Sequence, residues 1–266
     1  MPNYFEYNHG NLPKEHFRIS ASQLSLFFDK TSEWYRTHLL GEAPKFIHST
    51  ASELGTCIHA AAAMYHDTKT VDKQAILDYI DTLGPDIDKT EIRTQLKPMI
   101  DTLINSYCSK TKHTTSEEFI SYEVLPNIFV GGSMDAGTPD TVVDYKTTSA
   151  KTAPTSFPRQ YYFQLMTYSW VLKQLGRAPS TLRLVYVTRM IDGGYSDKTG
   201  KKLKDYDSTC TVLNHSITDS DWDLIDGCIK LIAHSVQTWQ QQPELRYLLA
   251  QDYRLKLPDK PVLFKG

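Results

Sequence analysis

The stretch Gly132-Ser-Met-Asp135-Ala-Gly-Thr-Pro-Asp-Thr141-Val-Val-Asp144-Tyr145-Lys146-Thr147 decides how the rest of this chain is read. Its middle, Ala136 to Thr141, is rich in turn residues and folds the strand that ends at Asp135 back beside an apolar strand carrying Asp144. Side chains alternate along a strand, so Asp144 and Lys146 share one face and Tyr145 takes the other. Two bare carboxylates brought this close repel each other unless a cation joins them, and hard oxygen ligands suit Mg²⁺ or Mn²⁺. Lys146 adds a mobile ammonium that can hold a phosphate oxygen or help deprotonate a metal-bound water. An acid pair with a neighbouring lysine is the equipment of metal-assisted phosphodiester cleavage. Asp-x-Lys alone is common by chance, so its weight comes from the elements around it.

Upstream, Gly55-Thr-Cys-Ile-His59-Ala-Ala-Ala-Ala-Met64 reads as a helix with one very small face, which allows close backbone packing. His59 on that helix can offer a ring nitrogen to a metal, although a lone histidine is more often only packed. Ile19 to Phe28 starts like a capped amphipathic helix, with Ser20 or Ser22 as N-cap. Trp34, Tyr35, Leu39 and Leu40 continue its apolar side, and Gly41 stops it. Helical patterns follow at about 70–83 and 88–108, then a strand from Phe119 to Leu125. Glu123 in that strand is a further acid to weigh as a metal ligand. A helix over 158–175 carries Gln164 and Tyr168 one turn apart on a shared face, and the adjoining Tyr161-Tyr162-Phe163 reads as core packing. Strands at 182–189 and about 207–214 and a helix near 218–240 complete the pattern, with Leu257 to Pro261 as an extended tail.

In order along the chain these segments are Ser20-x-Ser-x-Leu-x-x-Phe27, Gly55-x-x-x-His59, Gly132-x-x-Asp135, Asp144-Tyr-Lys-Thr147 and Gln164-x-x-x-Tyr168. Together they resemble RecB-type nucleases of the PD-(D/E)XK superfamily, over roughly residues 19 to 190. CRISPR-associated iron–sulfur exonucleases and the mitochondrial genome maintenance exonuclease are similar. The resemblance implies a restriction-endonuclease-like α/β core, a central mixed β-sheet flanked by helices, with N-terminal helical additions. The first helix, with Phe27, Phe28, Trp34 and Tyr35, and the helix bearing His59 are expected to pack around the active-site mouth and narrow it to one strand. The resemblance makes His59, Asp135 and Asp144 metal ligands, assisted by the Tyr145 carbonyl, for one or two Mg²⁺ or Mn²⁺ ions. Lys146 would be the catalytic lysine, with Gln164 and Tyr168 lining the site.

The chain also departs from those relatives. Lys30-Thr31 stands where the iron–sulfur members carry Cys-Pro, and Cys57, Cys108, Cys210 and Cys228 are scattered. A cluster needs a set of thiolates, usually four, so none is expected here. No phosphate-binding Gly-x-x-x-x-Gly-Lys loop suggests a helicase.

At 266 residues, 40% apolar and 23% charged, the chain has the composition of an ordinary globular protein, and with the resemblance it is read as a single nuclease domain. Within it, 1–115 is mainly helical, 116–240 forms the catalytic core and 241–266 a tail. No membrane span or signal-peptide layout is visible, and the unpatterned cysteines fit a reducing cytoplasm, bacterial or that of a phage-infected host. The net charge of −2 argues against extensive phosphate neutralisation, leaving local patches to bind nucleic acid. The best is Lys198, Lys201, Lys202 and Lys204; Lys110, Lys112 and His113 form a smaller one. Charge runs of this kind are usually solvated loops. The expected function is an exonuclease on DNA ends or single strands in replication, recombination or repair, alone or with a protein partner. A structure-specific endonuclease, a restriction-type enzyme and a silent DNA-binding or assembly subunit are the alternatives.

Overall fold

A computed structural model describes residues 4–6, 10–42, 48–195 and 199–242, so the tail at Leu257–Pro261 lies outside the described residues. The elements run β1 (Phe17–Ile19), α1 (Ala21–Asp29), α2 (Thr31–His38), α3 (Thr50–Thr68), α4 (Lys73–Thr82), α5 (Lys89–Ser106), β2 (Thr115–Leu125), β3 (Ile128–Thr138), β4 (Thr141–Thr148), α6 (Arg159–Gln174), β5 (Thr181–Thr188), β6 (Cys210–Ser216) and α7 (Asp219–Gln241). One mixed sheet, ordered β1-β3-β4-β5-β6 with β2 on the other edge of β3, forms the centre. Helix α6 connects the parallel strands β4 and β5. Each sheet face is buried by its own helices. Ile19, Trp34, Met134, Met166, Leu184 and Ile229 belong to the core under α1, α2, α6 and α7. Ile58, Ile80, Met99, Val143, Tyr145 and Val187 belong to the core under α3, α4 and α5.

Strand β3 positions the site. Along one edge it pairs with β2 for nearly its whole length. On the other it pairs with β1 at Ile128–Val130 and with β4 only at Ala136↔Val143, Gly137↔Val142 and Thr138↔Thr141. Past that short ladder the two strands part, and Asp135 and Asp144 are the next residues on each. Gly131 admits the close approach of β2, since a Cβ there would stand 2.1 Å from the Ile120 carbonyl oxygen.

Three sequence readings are corrected. The opening helix is two helices, because Lys30 leaves helical backbone space (φ −149°, ψ 65°) and α2 restarts at Thr31. Ser20 stands at the N-cap of α1 without a capping side-chain bond. Second, Phe27, Trp34 and Tyr35 do not surround the active-site mouth. They pack against Trp239 of α7, with Trp34 and Tyr35 fully buried, because burying large aromatic surface outweighs leaving it at a wet opening. Third, β1 is a three-residue strand too short to show an alternation, and β6 begins at Cys210 rather than near 207.

The start of α7 is tied to α6, which carries Gln164 and Tyr168. Thr218 and Asp221 form a capping box, and the Asp221 carboxylate also accepts from Tyr162 Oη at 2.7 Å and lies 3.0 Å from His215 Nε2. Partial burial opposes the charge, but the bonds from Tyr162, Thr218 and His215 outweigh it and hold the carboxyl far below the usual carboxylate range. A depressed folded-state pKa contributes stability that is full above the unfolded pKa, begins to fall there, and is lost as pH drops through the folded-state pKa. Asp221→Asn should therefore lower the melting temperature at pH 7, by about 2–4 °C for each kcal/mol lost. The deficit should shrink below about pH 4; a deficit equal at pH 7 and pH 3.5 would show that charge is not involved.

Candidate active site

Where β3 and β4 part, the side chains of both strands meet those of α3, β2 and α6 in a cavity of about 450 Å³. The backbone N–H of Tyr145 donates to Asp135 Oδ2 at 2.8 Å, and His59 Nδ1 of α3 lies 3.3 Å from the same oxygen. Asp144 is 1% exposed, and its Oδ2 meets Lys146 Nζ at 2.6 Å. Its Oδ1 is buried with no hydrogen-bond partner. Lys146 Nζ stands 4.9 Å from the centroid of the Tyr161 ring, and Gln164 and Tyr168 of the same helix line the cavity. The Tyr145 ring turns to the opposite face, where its Oη is 2.6 Å from His66 Nε2.

The electrostatics are those of a crowded acid cluster with two cations. Burial opposes the charge on His59, yet the Asp135 carboxylate beside it pushes the imidazole up to about 9. Burial likewise opposes Asp135, and the His59 charge and bond, Lys146 and the Tyr145 N–H hold it below the ordinary carboxylate range. Asp144 goes the other way: burial, then the Asp135 charge, raise it to about 6 against the pull of Lys146. Burial works against the Lys146 ammonium as well, but Asp144 and Asp135 raise its pKa above the ordinary value. His59 and Lys146 are thus charged at neutral pH, each against a carboxylate.

One residue joins this cluster that the sequence reading missed. Glu117 of β2 adopts a left-handed backbone (φ 47°) that is uncommon for any residue but glycine. Ligand atoms of His59, Glu117 and Asp135 lie within 4.8 Å of one another, alone in this respect among the described residues. Burial, and then the neighbouring Asp135 charge, push the Glu117 carboxyl up to about 8. The pairs Ser116↔Ala136 and Glu118↔Met134 bracket it, so Glu117 faces Asp135 across the ladder. Acids directly opposite on paired strands repel.

The model of the PD-(D/E)XK nuclease superfamily matches residues 18–241 of the sequence. The chain belongs to this superfamily. No curated protein matches it in sequence. Among solved structures it is similar to a candidate exonuclease from Eubacterium rectale, at 14% identity and a TM-score of 0.48, covering 95% of this chain and 94% of that one. It is also similar to the alkaline exonuclease LHK-Exo from Laribacter hongkongensis, at 12% identity and a TM-score of 0.34, covering 74% and 95%. The assignment rests on the family match.

Of the residues expected in the PD-(D/E)XK site, His59, Asp135, Asp144, Tyr145, Lys146, Gln164 and Tyr168 all line the one cavity. Glu123 does not. It is exposed at the far end of β2, where its Oε1 accepts from the Asn127 N–H and closes the turn into β3. Of the lysine patch, Lys198 lies outside the described residues. Lys201, Lys202 and Lys204 stand on the segment between β5 and β6 and do not line the cavity. Lys202 is paired with Asp205 at 2.7 Å, and Lys204 lies over the Tyr206 ring. Tyr161 meets Lys146 besides packing against the core, a contact that a reading as core alone left out.

The donor set fits a divalent cation. It combines an imidazole, carboxylates whose mutual repulsion a cation relieves, and a buried oxygen on Asp144 that no protein group satisfies. Without an ion, Glu117 is a source of strain, and its raised pKa sets the sign of the effect. An acid whose folded-state pKa exceeds its unfolded value destabilises progressively as pH rises from the lower value to the higher. In EDTA, Glu117→Gln should therefore raise the melting temperature at pH 8, by about 2–4 °C for each kcal/mol relieved, and leave it unchanged near pH 4. A melting temperature that falls at pH 8 would mean that Glu117 stabilises the metal-free fold.

Proposed function

We propose that this chain is a DNA nuclease dependent on Mg²⁺ or Mn²⁺, acting as an exonuclease on ends or single strands. The observation that carries the reading is the meeting of His59, Glu117 and Asp135 with the Asp144–Lys146 pair in one cavity of a PD-(D/E)XK chain. DNA as the polymer is read from the resemblance to RecB-type nucleases, and the preference for ends from the near-neutral charge, which suits threading a strand over wrapping a duplex. We read residues 1–266 as a single nuclease domain of that type, serving replication, recombination or repair.

His59, Glu117, Asp135 and Asp144, with the Tyr145 carbonyl, would hold the metal. When bound, a divalent ion supplies a Lewis acid for the phosphate and lowers the pKa of the attacking water. The chain's own residues do the rest. Asp144 holds the Lys146 ammonium in place, and that ammonium can hold a phosphate oxygen as negative charge grows on it. The Tyr161 ring beside Lys146 limits where the long side chain can wander. Tyr145 fixes Asp135 through its N–H, so the carboxylate keeps one orientation. Gln164 and Tyr168 offer an amide and a phenol to the substrate backbone from the α6 wall.

The test is cleavage of end-labelled linear single- and double-stranded DNA with and without metal. Asp144→Ala and Lys146→Ala should each reduce the rate by about a hundredfold or more, the several kcal/mol asked of groups acting on the transition state. Both proteins should keep the wild-type circular dichroism, and near-normal activity in either sinks the assignment. EDTA should stop the reaction, and Mn²⁺ should serve at least as well as Mg²⁺ because an imidazole ligand favours it. Binding an ion through His59 must release its proton. Apparent metal affinity should therefore rise with pH until about 9, where the imidazole loses its charge unaided. An affinity independent of pH between 7 and 9 would remove His59 from the ligand set. Lys30 occupies the position where iron–sulfur relatives carry cysteine, so the purified protein should be colourless; a brown preparation would contradict that.

A further inference from the structure

A second group of residues, far from the motifs in sequence, also lines the cavity. Tyr4, Phe5 and Glu6 line it together with Ser52 and Gly55 of α3. They are held firmly. Tyr4 Oη donates to Asp67 of α3 at 3.0 Å. The Phe5 ring stacks on Tyr79 of α4, with centroids 4.4 Å apart and planes within 8°. Tyr79 in turn donates to Glu53 of α3 at 2.6 Å, and Glu53 is itself buried. A little further on, Gly10 lies against the Phe119 ring of β2, so close that a Cβ would stand 2.1 Å from its Cδ1. Tyr4 and Phe5 are thus anchored on α3 and α4, and Gly10 on β2; α3 bears His59 and β2 bears Glu117.

We propose that Tyr4, Phe5 and Glu6 form a fixed wall across one side of the active-site mouth, and that this wall selects single-strand ends over unbroken strands. The proposal rests on the nuclease reading and deepens it. A strand without an end has to lie across the site, entering by one opening and leaving by another; an end needs only one. The cavity, about 450 Å³, falls in the lower part of the roughly 300–1,000 Å³ range of small-ligand clefts, which suits a nucleotide or two and not a duplex. Glu6 is exposed on the wall and adds an acid to the face that a passing phosphate backbone would meet. Its charge acts against the backbone at contact range and is screened by salt. The aromatic pair behind it keeps the wall from swinging aside, because moving Phe5 exposes both its own ring and that of Tyr79.

The experiment compares full-length wild type, Phe5→Ala and Glu6→Gln on linear and on covalently closed circular single-stranded DNA, with Mn²⁺ present. Wild type should degrade the linear strand and spare the circle. A wild type that cuts circles readily overturns the exonuclease reading and the wall with it. Where wild type spares circles, Phe5→Ala with an intact melting transition should raise the ratio of circle to linear cutting by about tenfold, the effect of about 1.4 kcal/mol in a barrier. An unchanged ratio overturns the wall and leaves the exonuclease reading standing. Should Phe5→Ala fail to fold, Glu6→Gln decides, since an exposed side chain at that position carries no packing. With Ca²⁺ in place of Mn²⁺, to bind without turnover, it should tighten binding of a short fluorescent oligonucleotide by about threefold at low salt, and the gain should vanish at high salt. Affinity equal to wild type at low salt overturns the proposal.

Discussion

A sheet cannot pair its strands at the point where it must open to hold a ligand, and the separation of β3 from β4 is where this protein meets that constraint. The ladder ends at Ala136↔Val143, which leaves the Tyr145 N–H without a carbonyl partner on the next strand. A buried donor without an acceptor costs about 1–3 kcal/mol. Asp135 supplies the acceptor from its side chain. One hydrogen bond therefore does two things: it satisfies the backbone that strand separation exposed, and it fixes the carboxylate that the separation was needed to admit. The chemistry of the site and the integrity of the sheet share an atom, Asp135 Oδ2, which also faces His59.

The same crowding sets the charge balance of the cavity. Asp135, Asp144 and Glu117 bring three acids into one cavity, and the fold answers with protonated His59 and the Lys146 ammonium. Burying unpaired carboxylates would be far more expensive than burying these pairs. Two of the acids retreat from charge, with Asp144 drawn up to about 6 and Glu117 to about 8. Groups that look like separate catalytic parts are held in one electrostatic balance, and changing any one shifts the others.

Much of this was legible in the sequence because local periodicity fixes it. Asp144 and Lys146 share a face by strand alternation, and Gln164 and Tyr168 by helical spacing. The small face of α3 announced a close approach to the sheet. Long-range register was not legible, and Glu117 shows why. Counting back from the turn at Pro126–Asn127 in strict register places Glu118, not Glu117, opposite Asp135. The irregularity between Glu123 and Leu125 shifts the pairing by one residue, and a one-residue shift moves a side chain to the other face of a strand. Glu123 attracted notice for being closer in sequence to Asp135, but β2 runs antiparallel and carries it to the opposite end of the ladder. The aromatic residues of α1 and α2 were seen correctly as apolar, yet nothing local says whether such a surface closes a mouth or fills a core. Trp239, some two hundred residues away in the chain, decides that.

Ala60, Ala61, Ala62 and Ala63 are all buried, at 0–2% exposure, so methyl groups set how far the backbone of α3 stands from its neighbours. His59 precedes them directly, so the place of its Cα relative to Asp135 is set by where this helix backbone stands. Packed interiors respond to an added methylene by shifting backbone, not by absorbing it. The alanines are therefore shims, and the gauge they set is the width between imidazole and carboxylate. Ions of different radius want different widths, as the shorter bonds of Mg²⁺ and the longer ones of Ca²⁺ show. On the proposed reading, swapping a spacer would retune which ion suits the pocket while every candidate ligand stays the same.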